Sequence, residues 1–289
     1  MVIYRHSDPD ISMTTLILQG PNLDNDTVQT IAAETGGTPE PCDGYWRIHD
    51  AQALNHEQLD ALRRQHLLDI NALPAEFDPA QARLLVTDMD STLINIECID
   101  EIADFIGKKS EVAAITEAAM RGELNFEQSL ARRVALLAGL DASALEHVYR
   151  ERLRPNPGAE QMISGLQAHG IKIALVSGGF TYFTERLKER LKLDYARANT
   201  LEIIAGRLTG KVLGGIVGAE GKRAFLLELC RTLGITARQV VAVGDGANDL
   251  LMMNAAGLSI AYHAKPKVQA RAHTALNQSG LEGVLALLG

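Results

Sequence analysis

The chain has 289 residues, enough for two compact units and an insertion. Its formal net charge of −8, with no basic block, argues against nucleic-acid binding and against attachment to an anionic membrane. No stretch nears the ~20 uninterrupted apolar residues that span a bilayer, and Met1 to Asp10 carries Arg5, His6, Asp8 and Asp10 without the apolar core of a secretory signal.

Residues 1–80 read as a small α+β domain, ended by Pro74, Asp78 and Pro79, which interrupt the apolar periodicity. Within it, Thr15-Leu16-Ile17-Leu18 reads as a strand and Asp26 to Thr35 as a helix capped by Asn25 or Asp26. Tyr45-Trp46-Arg47-Ile48 reads as a second strand, Gln58 to Gln65 as a second helix and His66 to Ile70 as a closing strand. No catalytic cluster stands out here. An amino-acid sensor and a domain serving dimerisation or solubility are both open.

The apolar run Leu84-Leu85-Val86 reads as a buried parallel strand, and it delivers Asp88-Met89-Asp90-Ser91-Thr92 at its end. In extended backbone Asp88 and Asp90 project the same way while Met89 points into the core. Two carboxylates that close repel unless a cation joins them or one is protonated, so the spacing suggests a metal, an acid/base pair, or both.

Residues 97–155 then break the strand–helix alternation with four helical patterns, Glu97 to Ile106, Ser110 to Arg121, Asn125 to Leu137 and Ala142 to Arg152, with Gly107, Gly122 and Gly139 at the breaks. An insertion at this point sits over the strand ends as a cap.

The core resumes with Ile171 to Val176, a strand that delivers Ser177-Gly178-Gly179 before a helix from Phe180 to Leu191. A hydroxyl and free amides at a helix start suit a phosphate, although such a tripeptide alone is more often just a turn. Thr200 to Ile204 and Arg207 to Val212 read as a hairpin across Ala205-Gly206, either a flap or a surface ribbon.

Lys222 falls near the start of the helical run Ala224 to Leu233, where most lysines are solvated. Here it offers the fixed positive charge that a site of carboxylates and phosphate requires. The last strong strand, Val240 to Val243, ends in Gly244-Asp245-Gly246-Ala247-Asn248-Asp249 and the helical Leu250 to Met253. All three strands carry their polar residues on the same end. Cys42, Cys98 and Cys230 are odd in number and far apart, which favours free thiols and a cytoplasmic setting.

In order, Asp88 to Thr92, Ser177-Gly178-Gly179, Lys222 and Gly244 to Asp249 match the four motifs of the haloacid dehalogenase superfamily, which the chain resembles. Glu97 to Ile102, Met120 to Leu124, Phe126-Glu127 and Arg132-Arg133-Val134 further resemble the phosphoserine phosphatase family over about residues 83 to 270. The N-terminal 80 residues resemble the ACT-like domains attached to some of its members. The resemblance implies a Rossmann-like parallel sheet core, residues 81–96 and 156–289, with a helical cap at 97–155. It also implies a Mg²⁺ site at Asp88, Asp245 and the backbone carbonyl of Asp90.

The reaction so implied is hydrolysis of O-phospho-L-serine. Asp88 is its nucleophile, Asp90 its acid and then base, and Lys222 its charge neutraliser. Ser177, the Gly178 amide and Asn248 would hold phosphate or water. Glu97 and Arg133 would take the substrate's ammonium and carboxylate, and Met120 and Phe126 would wall it. Without the resemblance, Glu97 reads as a helix-start acid and Arg133 as a solvated helix residue. Phosphohomoserine and a sugar phosphate are the alternative substrates, and a receiver module that stores an aspartyl phosphate is a rival of another class. The sequence leaves the assembly open between monomer and homodimer.

Overall fold

The structure, a computed structural model, describes residues 13–289, so the charged stretch Met1 to Asp10 lies outside the described residues. The first unit runs β1 (Met13–Gln19), α1 (Asn25–Thr35), β2 (Thr38–Pro41), β3 (Trp46–Gln52), α2 (His56–His66) and β4 (Asp69–Ala72). Its four strands form an antiparallel sheet in the order β2-β3-β1-β4. Because side chains alternate along a strand, Leu16 and Leu18 of β1 pack with Val28, Ile31 and Leu59 of the two helices, while Ile17 turns the other way into the core of the second unit.

Three local readings change. Asp24, not Asn25 or Asp26, caps α1 by accepting the Thr27 amide at 2.8 Å. Leu67 takes the left-handed conformation (φ 52°) after α2, so the closing strand begins at Asp69 instead of His66. β2 escapes the sequence because Pro39 and Pro41 lack ladder donors; it survives as an edge strand.

The second sheet has seven strands in the order β11-β10-β9-β5-β6-β7-β8, parallel except for β8. It starts with β5 (Leu84–Thr87) and then leaves for the helices α3 (Cys98–Asp104), α4 (Lys109–Met120), α5 (Phe126–Ala135) and α6 (Ser143–His147). It returns through α7 (Ala159–Ala168), β6 (Lys172–Phe180), α8 (Thr181–Leu191) and the hairpin β7 (Tyr195–Ile204) and β8 (Arg207–Leu213). The other half follows as α9 (Ala219–Leu233), β9 (Val240–Gly244), α10 (Leu250–Met253), β10 (Leu258–Tyr262), α11 (Pro266–Gln269), β11 (Thr274–Leu276) and α12 (Gly283–Leu288). Chain order therefore reverses between β5 and β9, and it is at the carboxyl ends of the strands beside such a reversal that open α/β sheets take their ligands.

The strands of this sheet are buried on both faces, as continuous apolar runs require. Leu85, Ile173 and Val243 pack with Met162 of α7 and Phe183 of α8, whereas Leu84, Val86 and Ala242 pack with Leu226 of α9 and Met252 of α10. The Ser177-Gly178-Gly179 segment lies inside β6, in an irregular stretch between Val176 and Phe180, so α8 begins only at Thr181. α9 begins at Ala219 and places Lys222 in its first turn.

The inserted helices are tied at two places. Outgoing and returning chains pair at their base: Asn95 N–H donates to the Arg154 carbonyl at 3.0 Å and Asn156 N–H to that of Leu93 at 2.9 Å. At the far side, Gly139 N–H donates to Leu208 O and Ala142 N–H to Gly206 O, both at 2.8 Å. The hairpin is thus a prop for the inserted helices and not a free flap.

The two sheets are joined by buried polar groups. Asp69, 1% exposed, accepts the amides of Asn277 (2.7 Å), Gln278 (3.1 Å) and Ser279 (2.8 Å). The Asn71 side chain pairs with both the N–H and the C=O of Ala275, each at 2.9 Å, standing in for an extra strand beside β11. Among the described residues no helix is long and apolar enough to cross a membrane. Asp69→Ala strands the buried Ser279 N–H and the partly buried Asn277 and Gln278 donors, and should lower the unfolding free energy by on the order of 3 kcal/mol in urea titration. A loss below about 0.5 kcal/mol, the range of ordinary surface changes, would show that the junction rests on other contacts.

Candidate active site

Asp88 extends the β5–β9 ladder by one bond, its N–H donating to Val243 O at 3.0 Å. The chain then makes a wide turn over Met89–Leu93, closed by the Ile94 N–H on Met89 O at 3.0 Å. Met89 is fully buried and anchors this turn in the core as expected, though from the start of the turn and not from extended strand. Asp90 stays extended, and Ser91 takes a left-handed conformation (φ 57°) that redirects the chain.

Lys222 is buried, with Nζ 2.6 Å from Asp88 Oδ1 and 2.6 Å from Asp249 Oδ1. Asp249 is held in turn by the Gly246 N–H on its other oxygen at 2.9 Å. Thr92 Oγ1 donates to Asp245 Oδ1 at 2.7 Å, joining the first and last motifs. Carboxylate oxygens of Asp88, Asp245 and Asp249 lie within 4.8 Å of one another. This all-oxygen set suits a hard divalent cation. Asp249 has both oxygens engaged by Lys222 and Gly246, so Asp88 and Asp245 are the carboxylates of that group best disposed toward a metal.

The β6 segment closes the ring. A methyl group on Gly179 would stand 3.0 Å from both Asp90 Oδ2 and Ser177 Oγ, so the backbone must be bare there for the first two motifs to meet. Gly179 N–H donates to Ser177 Oγ at 2.8 Å. Behind it, buried Asn199 of β7 donates to Gly178 O at 2.8 Å and accepts the Val217 N–H at 2.7 Å.

The inserted helices supply the roof. Asn125 and Gln128 form a capping box that fixes the start of α5 and with it Phe126. A methyl on Gly178 would come 2.7 Å from Phe126 Cζ and one on Gly218 3.1 Å from its Cδ1, so the ring lies against these two glycines. Glu97 precedes α3 and accepts the Ser91 hydroxyl at 2.7 Å. Half-buried Arg133 of α5 faces the charges of Asp100, Glu97 and Asp90. Asn248 is half-buried in the turn after Gly246. Met120 closes α4, and its side chain lies outside the described residues.

Charge is strained here. Burial, and then the neighbouring Asp249, push the Asp88 carboxyl well above its usual range against the pull of Lys222. Burial and the charge of Glu97 push Asp90 up to about 8, and its Oδ1 is buried without a hydrogen-bond partner. Burial opposes the Lys222 charge, but Asp249 and Asp88 outweigh it and hold the ammonium above its ordinary value. Burial also raises Asp245 and Glu97 and lowers Arg133, whose charge Asp100 and Glu97 support. One ammonium among three carboxylates leaves a negative pocket that calls for a cation.

Asp88, Asp90, Ser177, Gly178, Lys222 and Asp245 thus share one rim, with Glu97, Phe126 and Arg133 above it. The sequence did not single out Asn199, whose only signal is a polar residue in a strand, or Asn156. The Asn156 amide donates to the carbonyls of Thr92 (2.8 Å) and Ile94 (3.1 Å), pinning the loop after Asp88 to the chain returning from the insertion.

Residues 82–257 match the family model of the haloacid dehalogenase-like hydrolases. A phosphoserine phosphatase of Polaromonas sp. is 52% identical over 226 residues, 76% of this chain and 96% of that protein. The unliganded crystal structure of a probable phosphoserine phosphatase from Vibrio cholerae superposes with a TM-score of 0.81 at 42% identity, covering 96% of this chain and 86% of that one. A phospho-aspartyl intermediate analogue of a phosphoserine phosphatase superposes with a TM-score of 0.68 at 43% identity, covering 72% of this chain and 99% of that one. The chain belongs to the haloacid dehalogenase-like hydrolases, in the branch formed by the phosphoserine phosphatases.

Proposed function

We propose that this chain hydrolyses O-phospho-L-serine to L-serine and phosphate through an aspartyl phosphate on Asp88. The observation that carries the reading is the buried Asp88–Lys222–Asp249 chain at the carboxyl ends of β5 and β9, with Asp90 across from Ser177. The catalytic core is taken as residues 81–96 and 156–289, the cap as 97–155 and the N-terminal domain as 1–80. Free Cys42, Cys98 and Cys230 fit a cytoplasmic setting.

A phosphomonoester is an anion, so an anionic nucleophile reaches its phosphorus only where fixed positive charge offsets the repulsion. Lys222 supplies one such charge directly beside Asp88. Mg²⁺, held by Asp88, Asp245 and the Asp90 carbonyl, would keep both carboxylates ionised and draw charge from a non-bridging phosphate oxygen.

As the Asp88 carboxylate forms its bond to phosphorus, the bond to the serine oxygen breaks. Asp90, protonated at neutral pH by its burial and by Glu97, gives its proton to that oxygen. The resulting Asp90 carboxylate then takes a proton from the water that attacks the acyl phosphate, which frees phosphate and restores Asp88. Ser177 and the Gly178 amide hold the non-bridging oxygens, and Asn248 positions phosphate or water. Phe126 keeps solvent from the intermediate. Glu97 meets the substrate ammonium and Arg133 its carboxylate, as a guanidinium fork does well. A receiver module needs its phosphoaspartate to persist; the Asp90 acid/base works against that.

Phosphate release from L-phosphoserine should exceed that from phosphohomoserine or sugar phosphates in a substrate panel, and a reversed ranking would reassign the substrate. Asp88→Asn should cut kcat by on the order of 10⁴-fold or more with an unchanged circular dichroism spectrum. More than about one per cent residual turnover would remove Asp88 as nucleophile. Arg133→Ala should lower kcat/KM on L-phosphoserine about 10²-fold while a phosphomonoester without a carboxylate loses under about threefold. Equal losses on both would make Arg133 a structural residue. Dialysis against a chelator should abolish turnover and added Mg²⁺ restore it; full activity in the chelated protein refutes the metal.

A further inference from the structure

The Gly178–Gly179 peptide can turn either way at low cost, because both flanking residues are glycines. A planar trans peptide points its C=O and N–H in opposite directions, so its orientation decides which of them faces Ser177. In the structure the Gly179 N–H donates to Ser177 Oγ at 2.8 Å and the Gly178 carbonyl points away, onto the Asn199 amide at 2.8 Å. Asn199 is 1% exposed, and its oxygen is fixed by the Val217 N–H at 2.7 Å, so its own amide cannot rotate without stranding a donor. Val217 precedes Gly218, the second glycine against which Phe126 lies, and both lead into the helix that carries Lys222.

From this geometry we infer that Asn199 is a positioning residue for the anion site, resting on the function proposed above. It latches the Gly178–Gly179 peptide so that the Gly179 N–H occupies a lone pair of the Ser177 hydroxyl. The Ser177 O–H is then left to donate outward, to a phosphate oxygen. With the peptide flipped, a carbonyl oxygen would face Ser177, accept that proton and present a lone pair to the incoming anion.

Asn199→Asp keeps the shape and the acceptor for Val217 but sets a carboxylate oxygen against Gly178 O, which favours the flipped peptide. Asn199→Ala removes the latch. In the Mg²⁺-loaded protein both variants should bind orthovanadate about tenfold or more weakly by calorimetry, with KM rising by a similar factor on L-phosphoserine and on a simple phosphomonoester. In a Ser177→Ala background the further effect of Asn199→Asp should shrink to under about twofold, since the latch acts through that hydroxyl. Unchanged vanadate affinity and KM beside a lower kcat would mean that Asn199 only supports the fold, and additive effects with Ser177→Ala would equally overturn the proposal.

Should neither variant fold, the unaltered chain still decides. Glycine labelled at nitrogen and carbonyl singles out the second residue of the three Gly–Gly pairs, Gly37, Gly179 and Gly215. The Gly179 amide resonance should move on addition of orthovanadate, and one that stays in place refutes the latch. Vanadate reads the anion site whichever monoester is hydrolysed. A protein inactive on L-phosphoserine whose vanadate binding depends on Asn199 therefore sinks the substrate assignment and keeps this inference.

Discussion

The site depends on one ammonium buried between two carboxylates. Taking Lys222 out of water costs several kcal/mol unless its partners are fixed in place. Each partner here is held by an element of the sheet. Asp88 is tied to β9 by its own N–H, and Asp249 is tied to its turn by the Gly246 amide. That arrangement makes Lys222 a rigid charge whose position the strands set. It also leaves the pocket with more carboxylate than ammonium, because Asp245 joins Asp88 and Asp249 within 4.8 Å around the one lysine.

Close approach is the second constraint. β9, β5 and β6 are neighbours, so their ends stand one strand spacing apart, ~4.8 Å. Side chains from three such ends fit together only if some backbone positions carry none. Gly244 makes room for Asp249, Gly179 for Asp90 and Ser177, and Gly178 with Gly218 for Phe126. The glycines of the motifs thus serve less as turns than as absent side chains. The roof follows the same logic, since it is pinned at its base by Asn156 and at its far side by the hairpin, and Phe126 is the part that reaches the floor.

Much of this was legible because the chemistry is concentrated in short runs directly after apolar strands. Asp88, Asp90 and Asp245 announce themselves by residue type and place, whereas Ser177 and Lys222 gain meaning only beside them. Glu97 and Arg133 do not, since an acid before a helix and an arginine on one have ordinary explanations, and only a family resemblance singled them out. Asn199 and Asn156 were invisible for a different reason: their partners are backbone groups remote in sequence, and nothing local marks a buried amide that orients a peptide. β2 was missed because its two prolines forbid the pattern by which strands are recognised, and the bulged end of β6 because a strand that breaks register looks like a helix approach.

The same distinction bears on the N-terminal unit. Its attachment is made by Asp69 and Asn71, polar residues that bind backbone at the end of β11, and by Ile17 in the core of the larger unit. Such contacts are directional as well as buried, so they set how the small sheet lies against the large one. β11 is three strands from β5, so this unit attaches at the edge of the large sheet and not beside the Asp88 strand. A mechanical path nonetheless exists along the strand ends: Asp69 holds the residues after Leu276, Leu276 pairs with Tyr262, and the adjoining Ala261 pairs with Gly244, the residue before Asp245. A displacement of the small domain would reach the Asp245 carboxylate along that ladder, and a ladder buried on both faces yields little.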